Sequence, residues 1–169
     1  MVEKLSPPDE LNHITHGGFY GWPFSNGFGT PDPDYGNHAS KPQQAENHPV
    51  YGFRPHNAAL GIVFNRSSKL PADYQRSAFV ALHGSWNRST PDGYKVVSLH
   101  WNEDGAITER DLLTGFLTGR GRILGRPAEL AQSKDGSLYI SDDHADTLYR
   151  PYPTRKPELN SPSKLALLA

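Results

Sequence analysis

The sequence contains no cysteine, which excludes disulfides, iron–sulfur clusters, thiolate zinc sites and cysteine nucleophiles. It has no surplus of either charge: 17 Lys and Arg stand against 18 Asp and Glu, for a net charge of −1. That balance leaves no electrostatic footprint for nucleic acid or an anionic membrane surface. No apolar run approaches the ~20 residues of a membrane-spanning helix. The opening stretch, Met1 to Pro8, lacks the apolar region of a signal peptide. Gly-x-Ser-x-Gly, Walker and dinucleotide fingerprints are missing as well. Glycine and proline, in contrast, are abundant, at 16 and 15 of 169 residues, about 18% together against a usual ~12%. Many turns and short strands are expected rather than long helices.

The pattern along the chain divides into three parts: residues 1–56, 57–152 and 153–169. The first ends its opening run in an aromatic and glycine cluster, Gly17 to Pro23. It continues through residues 24–55, rich in Pro and His and poor in aliphatic side chains, which read as one long functional or disordered loop burying little surface. From Asn57 onward apolar runs recur: Ala58–Phe64, Ala78–His83, and Tyr94–Trp101 after the turn signal Pro91-Asp92-Gly93. Asp111–Leu117 fits a strand or a helical turn. The order then restarts at Pro127–Ala131, passes the turn Lys134-Asp135-Gly136 and continues through Ser137–Ser141 and Thr147–Arg150. The offset is about 60–70 residues, longer than the ~40–50 of typical propeller repeats. Radially repeated four-stranded sheets account for this pattern, and a generic antiparallel meander accounts for it as well. The final 153–169 stretch reads as a tail.

Several residues have chemistry to offer. Asp9, Glu10 and Tyr20 form an oxygen-rich set beside a glycine-rich turn, the type of donor a hard cation such as calcium takes; a solvated loop is the commoner meaning of such a set. The eight histidines lack the spacing that places metal ligands on one face. The run His83-Gly84-Ser85-Trp86-Asn87-Arg88, at a strand end, offers imidazole, indole and guanidinium together. Arginine with an aromatic suits a planar anion, and a packed loop plugged by Trp86 is the structural alternative. Arg126 stands just before the restarted series. Two arginines meeting without a carboxylate would point to an anionic ligand. The alternative is surface pairing, of Arg88 with Asp92 or Glu109 and of Arg126 with Asp142 or Asp143.

Pro8-Asp9-Glu10-Leu11-Asn12 and Gly17-Gly18-Phe19-Tyr20-Gly21-Trp22-Pro23 resemble a signature of the glucose/sorbosone dehydrogenase family. His56–Gly61, Phe79–Arg88, Gly93–Val97, Gly125-Arg126-Pro127 and Asp135–Asp143 resemble its sorbosone-dehydrogenase-like branch in order and approximate spacing, so the likeness covers about residues 7–152. The resemblance implies an all-β fold: part of a six-bladed β-propeller, about two blades of antiparallel four-stranded sheets plus a preceding strand. It implies pyrroloquinoline quinone (PQQ) and calcium as cofactors, and a sugar or sugar aldehyde as substrate. Asp9, Glu10 and Tyr20 match calcium-site positions, while His56, His83, Arg88 and Arg126 fall where cofactor-contacting side chains are expected. In this family a histidine base takes the hydroxyl proton while hydride passes to the quinone.

The departures shape the expectation. Family enzymes are more than twice as long, and their catalytic histidine lies upstream of the region matched here, so no catalytic base is assigned to this chain. Lys4 and Leu5 stand where one branch has a Gly-Pro carbonyl pair. The chain is therefore expected to be a C-terminal part of a periplasmic or secreted dehydrogenase, inactive alone. The second reading is a non-catalytic binding module that self-associates through open blade edges.

Overall fold

The computed structural model describes residues 6–152. Apart from one turn of 3-10 helix, Ala72–Tyr74, the regular structure within these residues is all strand. Four short strands come first: β1 (Asp9–Leu11), β2 (Ser25–Asn26), β3 (Thr30–Pro31) and β4 (Tyr51–Phe53). Next follow β5 (Ala59–Phe64), β6 (Ser77–Leu82), β7 (Lys95–Trp101) and β8 (Ile107–Leu113), which pair in sequence order as one antiparallel sheet. A second sheet of β9 (Pro127–Gln132), β10 (Leu138–Asp142) and β11 (Thr147–Tyr149) is antiparallel and also sequential. Two successive meanders of this kind form consecutive blades of a β-propeller.

The sequence of β6, Ser-Ala-Phe-Val-Ala-Leu, shows why the two sheets pack. All six residues are buried, because this central strand is covered on both faces and cannot alternate with polar positions. Phe79 and Ala81 point to one side, where they join Val96 and Leu113 against Leu130, Leu138 and Ile140 of the second sheet. Val80 and Leu82 point to the other, with Val97 and Leu99, against Phe53. Full burial of a side chain such as Phe79 stabilises by about 1.5–3 kcal/mol. The sheets approach closely where Gly61 faces the backbone of Ala128 and Glu129; a Cβ there would lie 2.7 Å from the Glu129 Cα.

Residues 24–55 depart from the bare loop expected from their composition. Phe24 and Phe53 are buried, β2 pairs with β3, and β4 pairs with β1 through Leu11 and Tyr51. Ser25 also donates to the Glu46 carboxylate. Aromatic rings rather than aliphatic side chains supply the buried surface, which a count of aliphatic residues overlooks. The last strand of the first sheet lies earlier than the Asp111–Leu117 run, since β8 ends at Leu113 while Leu117 forms a bridge with Ile123. Trp86 does not plug its loop: it is 78% exposed.

Candidate cofactor site at the shared end of the two sheets

Strand direction gathers the polar residues of interest at one end. Ala59 pairs with Leu82, and Leu82 with Lys95, so β5 starts, β6 ends and β7 starts together. Pro127 pairs with Asp142, so β9 starts where β10 ends. Hydrogen bonds join these two ends. The Arg126 guanidinium donates to the Gly84 carbonyl at 3.1 Å and to the Tyr94 hydroxyl at 3.3 Å, and lies 4.8 Å above the Tyr94 ring. His83 Nε2 lies 2.8 Å from an Asp143 carboxylate oxygen. That bond holds the Asp143 carboxyl below the ordinary carboxylate range.

Local sequence explains how this end is built. Gly84 has φ +105°, and a Cβ there would run into the Tyr94 ring. Only glycine lets that ring lie flat over the chain, where the Tyr94 hydroxyl donates to the Ser85 carbonyl. Asp142, buried at 3% exposure, accepts from the amides of Arg126, His144 and Ala145. It thereby shapes the Asp142–Asp146 link and fixes the backbone from which the Arg126 side chain departs.

The two arginines behave differently. Arg88, whose side chain is 5% exposed, lies 3.7 Å from Asp92 and donates to the Pro55 carbonyl at 3.2 Å. Asp92 is shared with Arg54 at 3.1 Å. This is the structural pairing of Arg88 with Asp92, which ties the 83–94 loop to the segment after β4. Arg126 reaches neither Asp142 nor Asp143 with its guanidinium. Its two side-chain hydrogen bonds go to neutral oxygens, and among the described residues no carboxylate lies within ion-pair distance. Of its five N–H donors, those two bonds leave three free.

His56 sits at φ +64°, edge-on to Trp86 with 6.3 Å between ring centres. Its Nε2 and the Asn57 Oδ1 are buried without hydrogen-bond partners among the described residues. Left-handed backbone at a non-glycine residue carries strain and clusters at functional sites. The sequence named Asp143 only as a surface partner for Arg126 and gave no sign of its contact with His83 or of Tyr94 as a member of this end. Asp143 lies 60 positions from His83, and no local pattern marks a contact between separate sheets.

The proposed calcium set is not brought together. Asp9 accepts from the Ala58 amide at 2.7 Å, and burial raises its carboxyl above the usual value. Glu10 accepts from the Gly27 amide at 2.8 Å and from Asn12 at 2.9 Å. The Tyr20 hydroxyl donates to the His13 carbonyl and accepts from the Thr15 amide. Adjacent strand residues such as Asp9 and Glu10 face opposite sides, whereas calcium requires six to eight converging oxygens. Among the described residues, no cluster of three or more His, Asp or Glu side chains is arranged to hold a metal ion. These residues do not fit a shared calcium site as arranged.

Comparison with known proteins bears on the fold and the family. The chain is 37% identical over 150 residues to an uncharacterized protein from Borreliella burgdorferi, covering 86% of this chain and 39% of that protein. It is 32% identical over 120 residues to a pyrroloquinoline quinone-dependent pyranose dehydrogenase from Coprinopsis cinerea, covering 60% of this chain and 16% of the relative. The calcium structure of Trichoderma reesei Carbohydrate-Active Enzymes Family AA12 superposes with a TM-score of 0.63 at 24% identity, over 87% of this chain and 43% of that one. The chain thus spans less than half the length of each of these proteins. Its residues 30–150, most of its length and both sheets with them, match the TrAA12-like family, and the chain belongs to that family.

Proposed function

We propose that this chain forms a two-blade section of a PQQ-dependent sugar dehydrogenase, with Arg126 as its contact to the anionic cofactor. The observation that carries the reading is the Arg126 guanidinium, stacked on Tyr94 and bonded only to neutral oxygens. A half-buried guanidinium with three donors left over, whose charge acts on Asp143 without a direct ion pair among the described residues, suits a carboxylate-bearing ligand. The likeness to a pyranose dehydrogenase that depends on this quinone supports the same choice. When bound, PQQ supplies a hydride acceptor. This chain's residues bind and orient: Tyr94 and Gly84 hold the guanidinium in place, and Asp142 fixes the backbone at its base. Arg88 stays with Asp92 and serves the loop. Calcium is left out of the reading, since Asp9, Glu10 and Tyr20 are spent on backbone and neighbouring groups. β1 with β4 represents the remnant of a preceding blade, and the enzyme acts outside the cytoplasm.

Titration of the chain with PQQ, followed by calorimetry, tests the assignment. Binding is expected and should weaken at least about tenfold in Arg126→Gln, the loss of a charge-assisted hydrogen bond. Unaltered affinity in that variant overturns the role. The chain alone is expected to bind without oxidising aldoses, because it spans less than half the length of the relatives it matches; quinone-dependent dye reduction by the chain would refute that part.

A further inference from the structure

We propose that Asp143 is a positioning residue that fixes the tautomer of His83, so that Nδ1 presents a lone pair to a hydroxyl of a polyol substrate. The ligand class in this proposal rests on the sugar-oxidising reading above.

The geometry comes from the seam between the sheets. His83 follows β6, and Asp143 follows β10. Their side chains meet at 2.8 Å through Nε2 of the imidazole. A carboxylate only accepts, so Nε2 carries the hydrogen in this bond. In the neutral ring the other nitrogen is then a bare acceptor. Nδ1 has no hydrogen-bond partner among the described residues, and it is not among their buried unpaired atoms. The His83 side chain is 21% exposed while Asp143 is 64% exposed, so the ring keeps contact with solvent.

The consequence for ligand chemistry is specific. An acceptor nitrogen does not favour a cofactor carboxylate, but it receives the hydrogen of an alcohol. Arg126, on the same end, is a pure donor and suits the anion. The two groups thus divide the ligands between them, one for a charged acid and one for a neutral hydroxyl. The other charged and titratable groups at this seam are already committed: Asp142 to three backbone amides, the Tyr94 hydroxyl to the Ser85 carbonyl. Oriented histidines elsewhere rely on the same device, in which a second group holds one nitrogen so that the other faces its ligand.

Long-range nitrogen–proton correlation spectra of the full 15N-labelled chain test the proposal directly. At about pH 8, where free imidazole is neutral, His83 should show a protonated Nε2 and a bare Nδ1. Asp143→Ala should turn this into a tautomer mixture, and Asp143→Glu should restore part of it. Addition of D-glucose should shift His83 Nδ1 in the wild type, and Asp143→Ala should need about tenfold more sugar for the same shift, in keeping with losses seen when a supporting group is removed. A protonated Nδ1 in the wild type, or a tautomer indifferent to Asp143→Ala, overturns the positioning role. A normal tautomer with no sugar response overturns the ligand. PQQ titration is a separate measurement, so failure of quinone binding with an intact sugar response would refute the cofactor reading and leave this one standing.

Discussion

The N-terminal segment and the seam between the two sheets each carry an aspartate fastened to a neighbour, and the two acids shift in opposite directions. Asp9 is raised, chiefly by burial, despite the amides of Ala58 and Asn57. Asp143 is lowered, chiefly by its hydrogen bond from His83. The difference is one of partner and solvent. In the N-terminal segment, carboxylates and the Tyr20 hydroxyl are used to satisfy backbone groups of an irregular chain that has few strand bonds of its own. At the seam Asp142 and the Tyr94 hydroxyl also serve backbone groups, but His83 and Asp143 meet side chain to side chain across the two sheets. A motif of polar residues becomes a candidate site only where the surrounding backbone does not consume it.

Substitutions in the sheet body test that contrast most strongly. Phe79→Ala should destabilise by about 3–5 kcal/mol, the cost of a cavity in a core closed on both sides. Phe24→Ala, in the N-terminal segment, should cost clearly less, since its ring joins neither of the two core clusters. Urea midpoints of both variants measure the difference, and equal losses would show that the segment is an integral part of the core.

Gly84→Ala should come next, at about 1–3 kcal/mol. It combines a left-handed backbone with displacement of the Tyr94 ring, and it should also loosen Arg126, which donates to both residues. Thermal unfolding with and without PQQ separates the two effects: a lower Tm together with weaker quinone binding is expected.

The acid range sharpens the comparison further. The contribution of Asp143 is present above the unfolded carboxyl value and is lost as pH falls through its lower folded value. The raised Asp9 behaves inversely: its unfavourable charge is relieved as pH falls from the folded value toward the unfolded one, so stability rises there. Urea midpoints over about pH 3–6, where free carboxylates titrate, should therefore lose their acid-side decline in Asp143→Asn and their gain in Asp9→Asn. Curves of unchanged shape in both variants would rule out this assignment. The smallest effect belongs to Arg54→Ala. Its side chain is 69% exposed, and an exposed pair of this type contributes about 0–1 kcal/mol.

Much of the sheet body was legible in advance. The apolar runs at Ala78–His83 and Tyr94–Trp101 became β6 and β7, and the Lys134-Asp135-Gly136 turn closed the hairpin between β9 and β10. Gly136 adopts φ +87°, and Asp135 caps the Ser137 amide, both local requirements that residue type states openly. The N-terminal segment was less legible because its order comes from two aromatic rings and scattered side-chain bonds to backbone.

Apolar content and turn chemistry, both short-range properties, marked the runs that became β5, β6, β7, β9, β10 and β11, but not the bounds of β8 or the pairings among β1 to β4. Where each arginine is anchored was decided only in three dimensions. Arg88 finds Asp92 four positions away, whereas Arg126 crosses to Gly84 and Tyr94, 42 and 32 positions distant. The pairing of His83 with Asp143 likewise spans 60 positions. Such contacts depend on how two sheets pack, and packing is a property of shape and burial summed over the whole core rather than of any local run of residues.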